Sequence, residues 1–164
     1  MVRQARREAM KSASLAVESR TARATRAWGR RLGALLKGGE LIGLTGALGA
    51  GKTCFVKGLA RGLMLPEEQI LSPTFTMIQE HRGRLALNHI DLYRLEAVTL
   101  DDLGLRDYLF SDAVAAVEWF ERLRDGAELE RLSIVLSYAV GSARWIEFTA
   151  YGERYGAILG ELQR

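Results

Sequence analysis

The sequence of 164 residues holds one cysteine, Cys54, two histidines, His81 and His89, and two prolines. A single thiol closes no internal disulfide and builds no cysteine zinc cluster. Two histidines leave little for a histidine metal site. A reducing, intracellular setting is expected for such a chain. No run approaches the ~20 consecutive apolar residues of a membrane-spanning helix. No apolar h-region marks the start as a secretory signal. Lysine is scarce, with Lys11, Lys37, Lys52 and Lys57 the only four. Acid is scarce in one place. Residues 1–31 carry nine basic and two acidic side chains, a balance of +7 within a net charge of +3, so the remainder stands at −4. The pI of about 9.2 belongs to that first segment. A basic arm can touch nucleic acid or an acidic partner, or be a solvated face. Its Arg, Ala, Ser and Thr content also resembles an organellar transit peptide. Nothing in the body of the chain points to DNA or a membrane.

What is present is ordinary for a globular protein: 48% hydrophobic and 26% charged residues. The length suits one domain. Residues 1–17 read as a flexible basic extension and 18–164 as the domain. Trp28 to Leu36 has helical spacing and stops at Gly38-Gly39. Residues 40–45 (ELIGLT) form a short apolar run typical of a buried strand. Residues 52–63 read as a helix, with Phe55, Val56, Leu59 and Leu63 on one side. Residues 75–80 and 85–90 read as a hairpin, 100–110 as a helix and 113–117 as a second buried strand. Residues 132–138 and 145–151 alternate around Gly141 as another hairpin, and the last dozen residues close the chain as a helix. Strands interleaved with helices predict an α/β sheet of mixed direction.

The segment Gly46-Ala-Leu-Gly-Ala-Gly-Lys-Thr53 matches G-x-x-x-x-G-K-[ST], a phosphate-binding P-loop. Gly46, Gly49 and Gly51 permit backbone angles other residues resist, so successive N–H groups can turn toward an anion. The helix that follows aims its N-terminal dipole at the same place. Lys52 is suited to the β- and γ-phosphates, and the Thr53 hydroxyl to Mg²⁺. A predicted strand before the loop and a helix after it are the context this motif requires. The chemistry also needs a carboxylate at a neighbouring strand end. Glu118, closing the run Ala113 to Val117, and Asp91, after Leu85 to Ile90, are the two candidates. Glu118 is the better by form. The Asn/Thr-Lys-x-Asp element that reads guanine is absent, which favours ATP. Asp101 to Gly104 matches D-x-x-G but follows a helical segment and is taken as coincidence.

Leu48-Gly-Ala-Gly-Lys-Thr53, Leu71-Ser-Pro-Thr-Phe75, His89-Ile-Asp-Leu-Tyr-Arg94 and Val117-Glu-Trp119 together resemble the TsaE (YjeE) family, small bacterial P-loop ATPases of the tRNA threonylcarbamoyladenosine (t6A) pathway. The resemblance runs over about residues 18–150. It departs from the family pattern at Ala47, Cys54 and Phe120. It implies a P-loop NTPase-like three-layer α/β sandwich with a mixed parallel/antiparallel central sheet. It implies ATP and Mg²⁺ as ligands, with Gly46, Leu48, Gly49, Ala50, Gly51, Lys52, Thr53 and Cys54 binding nucleotide. Thr53 and Glu118 would hold the metal, and Lys52, Asp91 and Glu118 would be catalytic. Ser72, Thr74, Tyr93, Arg94 and Trp119 would switch or contact partners, and His89 would pack. TsaB-like and TsaD-like partners, tRNA reached indirectly through that complex, slow turnover alone and a cytoplasmic location are also implied. No obvious arginine finger is present, although Arg94 and Arg82 are candidates. Two other readings compete. A small-molecule kinase could use Arg122, Arg124 and Arg131 as a lid, and a nucleotide-gated binding module would hydrolyse incidentally.

Overall fold

Leu41-Ile-Gly-Leu-Thr45 offers water no polar side chain before its end, and the structure buries its first four residues at the centre of a sheet. The computed structural model describes residues 1–73 and 77–164. Among the described residues there are seven strands: β1 (Lys11–Ser19), β2 (Leu41–Thr45), β3 (Ile78–Arg82), β4 (Ala86–Asp91), β5 (Val114–Glu118), β6 (Arg131–Tyr138) and β7 (Arg144–Tyr151). They form one sheet in the order β1-β7-β6-β2-β5-β4-β3. The four inner strands β6, β2, β5 and β4 are parallel. β7, β1 and β3 run against their neighbours. The mixed sheet expected from the element order is therefore present. Because the inner strands are parallel, their C-terminal ends share one edge of the sheet, where α/β proteins place ligands.

Among the described residues five α-helices accompany it: α1 (Val2–Met10), α2 (Ala22–Leu35), α3 (Lys52–Gly62), α4 (Leu105–Leu109) and α5 (Glu153–Leu162). α2, α3 and α5 bury their apolar sides against one face, around Phe55, Leu59, Leu132, Ile134 and Phe148. Phe148 sits between Trp28 and Phe55, with ring centroids 5.9 and 6.0 Å away. The opposite face is covered over β2, β5 and β4 by α4 and the irregular segments around it, through Ile90, Leu92, Leu105, Val117 and Phe120. The second helical layer is thus one five-residue helix and turns.

α2 and α3 touch backbone to backbone. A Cβ on Gly29 would lie 2.3 Å from the Phe55 carbonyl oxygen, and one on Gly58 2.0 Å from that of Arg26. Gly33 and Gly62 meet the facing helix as closely, so glycine is required by the approach itself.

Three expectations are corrected. The extension assigned to residues 1–17 is not separate from the sheet, because Lys11–Ser19 pairs antiparallel with β7 and α1 precedes it. The signal was there as weak alternation: Ala13, Leu15 and Val17 face the core, and Ser12, Ser14, Ala16 and Glu18 face away. The helix α2 begins at Ala22, six residues before Trp28, because Thr21 caps it by accepting from the Ala24 N–H at 3.1 Å. The helix expected over 100–110 is reduced to Leu105–Leu109. Asp102 accepts from the Thr99 N–H at 2.7 Å, and Leu103 and Gly104 take left-handed angles, so the chain turns before it can coil.

Candidate functional site

The glycine loop leaves the C-terminal end of β2 and opens α3, so it lies on the shared edge of the parallel strands. Gly49 and Gly51 adopt φ of 78° and 108°, the left-handed region that a side chain resists. Neighbouring strands brace the loop. Tyr138, ending β6, donates its hydroxyl to the Leu48 carbonyl at 2.5 Å. Arg144, opening β7, reaches the Gly49 carbonyl at 3.4 Å and lies over the Tyr138 ring at 4.5 Å. No motif singles out Tyr138 or Arg144, so the sequence reading missed both.

Register brings the two candidate acids together. Asp91 pairs with Glu118 across β4 and β5. Both are about 98% buried. The Thr53 hydroxyl on α3 donates to the Glu118 oxygens at 2.8 and 3.1 Å. His89, two residues before Asp91 on the same face of β4, is fully buried, and its Nε2 lies 2.8 Å from Glu118 Oε1. His89 therefore does more than pack: with Thr53 it fixes the rotamer of Glu118. That partnership depends on strand register, which the sequence does not display. Asp91 accepts from the Tyr93 N–H at 2.8 Å and from the Ser72 hydroxyl at 3.3 Å.

Lys52 is 5% exposed and donates to the Gly46 and Ala47 carbonyls. Its ammonium also lies 4.2 Å from the centre of the Trp119 ring. Trp119 holds a left-handed φ of 58°, which swings its ring back over the cleft. Arg122 secures that arrangement by donating to the Tyr93 and Leu95 carbonyls and stacking 5.0 Å over Trp119. Burial pulls the Lys52 ammonium below its ordinary 10.5, while the charges of Glu118, Glu121 and Asp91 hold it up. A lysine lowered by burial is charged only below that depressed value. The affinity of an anionic ligand that contacts it is therefore expected to fall as pH rises through a window below 10.5. A titration of nucleotide binding from neutral to alkaline pH checks this. The Lys52→Arg variant should show no such decline.

A cleft of about 290 Å³ joins these groups. Of the residues expected to bind nucleotide, Leu48, Gly49, Gly51, Lys52, Thr53 and Cys54 line it, as do Ser72, Asp91, Tyr93, Glu118 and Trp119. Gly46 and Ala50 sit behind the loop. A Cβ on Gly46 would come 2.4 Å from the Leu136 carbonyl oxygen, and Ala50 is fully buried. Arg94 is exposed and outside the cleft lining, and Arg82 belongs to a different cleft at the β3–β4 hairpin. Thr74 lies outside the described residues. A hydroxyl and a carboxylate 2.8 Å apart, beside a second acid and a helix N-terminus, fit a hard cation shared with phosphate oxygens. Such an ion needs only one or two protein carboxylates.

A glycine loop between a central parallel strand and a helix, with acids on the next two strand ends, defines an α/β protein of the P-loop NTPase-like class. Comparison with known proteins narrows the class. The model of the family described as "Threonylcarbamoyl adenosine biosynthesis protein TsaE" matches residues 19–146. The chain is 45% identical over 123 residues to the tRNA threonylcarbamoyladenosine biosynthesis protein TsaE of Treponema pallidum, covering 74% of this chain and 89% of that one. With the TsaE of Bacillus subtilis it shares 43% identity over 141 residues, or 85% and 88% of the two chains. The crystal structure of YdiB from Bacillus subtilis superposes with a TM-score of 0.80 at 36% identity, over 94% of this chain and 97% of that one. The chain belongs to the TsaE family. Among the described residues no helix is long and apolar enough to cross a membrane.

Proposed function

We propose that this chain is a Mg²⁺-dependent ATPase that serves tRNA t6A modification in the cytoplasm by resetting a complex of TsaB-like and TsaD-like proteins, and that it reaches tRNA through that complex. The observation that supports it best is the meeting of Lys52, Thr53, Asp91 and Glu118 in one cleft at the end of the parallel strands. The loop N–H groups and the α3 dipole bind the phosphates. Lys52 neutralises charge that develops on the transferred phosphoryl group. Thr53 and Glu118 would hold Mg²⁺, with His89 keeping Glu118 in place. Mg²⁺ would supply charge neutralisation across the phosphate oxygens. Asp91 would orient the attacking water. Among the described residues no arginine lines the cleft. Turnover by the chain alone is then slow, and a partner completes the transition-state contacts.

Phosphate release from ATP, measured against Mg²⁺ concentration with and without the two partner proteins, tests the reading. Glu118→Gln is expected to raise the Mg²⁺ needed for half-maximal turnover by about 10- to 100-fold while leaving metal-free nucleotide binding nearly unchanged. ATP turnover that ignores the partners, or ATP binding with no turnover in any mixture, would overturn it.

A further inference from the structure

Behind the Glu118 carboxylate lies a group of polar atoms that the nucleotide site does not use. Gln79 on β3 pairs directly with His89 on β4, so their side chains share one face of the sheet. His81 lies two residues further along that face, while Glu80 and Arg82 alternate with it and are exposed. Gln79 Oε1, His81 Nε2 and His89 Nδ1 are each buried without a hydrogen-bond partner among the described residues. Five side-chain atoms of the described residues share that condition, and three of them fall on this one patch. Burial, and after it the nearby His89, pull His81 below its ordinary 6.5, so the two rings feel each other. Buried polar atoms that no side chain pairs are where proteins hold structural water.

The three atoms are complementary to one water molecule. A carboxylate only accepts, so the His89 Nε2 that faces Glu118 at 2.8 Å carries a proton. In the neutral ring Nδ1 is then an acceptor, as is Gln79 Oε1. His81 Nε2 supplies a donor in the matching tautomer. One water can donate to His89 Nδ1 and to Gln79 Oε1 and accept from His81 Nε2, three bonds in all, as buried waters commonly make. We propose that Gln79 is a positioning residue for Glu118: through one buried water, held also by His81, it keeps the His89 ring proton on Nε2, aimed at the carboxylate. A ring with its proton on Nδ1 would set a lone pair against Glu118 and push the carboxylate away from its place beside Thr53. The consequence for metal rests on the reading that Glu118 holds Mg²⁺. The link from Gln79 to His89 rests on the strand register and the unpaired atoms.

Long-range proton–nitrogen NMR of the full chain reads the histidine tautomers directly. The sequence has only two histidines, and the fully buried ring of His89 is the one whose N–H exchanges slowly. His89 is expected to show a single tautomer, protonated at Nε2, with Nδ1 hydrogen-bonded. Gln79→Met keeps the side-chain volume but removes the acceptor, and should leave a mixture of the two tautomers. Gln79→Glu still accepts from the water and should restore the single form. The second readout is the Mg²⁺ concentration that half-saturates the protein–ADP complex, measured by calorimetry without turnover. Gln79→Met should raise it about 10-fold and leave metal-free ADP binding as in the wild type, since Gln79 does not line the nucleotide cleft. The proposal is overturned if wild-type His89 carries its proton on Nδ1 or in both places, or if Gln79→Met leaves the ring signals of His89 unchanged. A released ring with unaltered Mg²⁺ affinity would overturn it too, because Gln79 would then hold His89 without serving Glu118. Failure of the ATPase reading shows separately, as the lack of any Mg²⁺ effect on ADP binding by the wild type.

Discussion

Lys52→Ala is expected to weaken ATP binding by about 100-fold and to lower partner-stimulated turnover by about 1,000-fold. The binding figure is the loss of one or two charge-assisted hydrogen bonds in a buried setting, each about 1.5–3 kcal/mol. The larger effect on turnover follows because charge on the transferred group grows toward the transition state, where a fixed cation counts most. Arginine at this position keeps the charge but not the fit. Lys52 reaches the Gly46 and Ala47 carbonyls as a compact ammonium beneath the Trp119 ring, and a planar fork is too wide for that space. Equilibrium binding of a fluorescent ATP analogue and steady-state phosphate release check the two figures. A loss of turnover below 10-fold would mean that Lys52 is not where the charge develops.

Gly58→Val is expected to destabilise the fold by about 3 kcal/mol or more, lowering the melting temperature by roughly 6–12 °C. The new Cβ would sit 2.0 Å from the Arg26 carbonyl oxygen, a backbone atom that cannot rotate away. Relief requires α2 and α3 to part, and they are locked at three further points by Gly29, Gly33 and Gly62. Separation would open the core around Phe55 and Leu59. Gly160→Ala on α5 is the control. Its Cβ would meet nothing within 4 Å, so helix propensity alone acts and stabilises by up to about 1 kcal/mol. Calorimetry of the two variants beside the wild type decides the matter. Equal melting temperatures would show that the helix seam yields.

Most of the framework could be read from local pattern. The buried strands at Leu41–Thr45 and Val114–Glu118 are nearly continuous apolar runs, and the two hairpins carry their turn residues between alternating segments. The glycine loop declares itself because its spacing is dictated by the backbone path it must follow. β1 was hidden because its outward residues are Ser12, Ser14, Ala16 and Glu18, small or charged, with basic sequence on both sides. Its strand character comes from pairing with β7, a tertiary choice that overrides weak propensity. The same holds at the site. Glu118 and Asp91 are visible as strand-end acids, but nothing local shows that register sets them side by side, or that His89 lies 2.8 Å from Glu118. Tyr138 and Arg144, which brace the loop, come from a hairpin more than 85 residues away from it and belong to no motif.

The pairing of β1 with β7 also sets an order of events during synthesis. Ser19 and its partner Arg144 are 125 residues apart in the chain. At roughly 5–20 residues per second the first strand leaves the ribosome about 6–25 s before the strand it needs. Through that interval it must stay unpaired without binding another exposed edge. Polar residues on one side and a run of arginines just before and after it keep it soluble and repel a second nascent copy. The strand with the weakest alternation is thus the one whose composition suits waiting, and this edge of the sheet is completed only when β7 arrives.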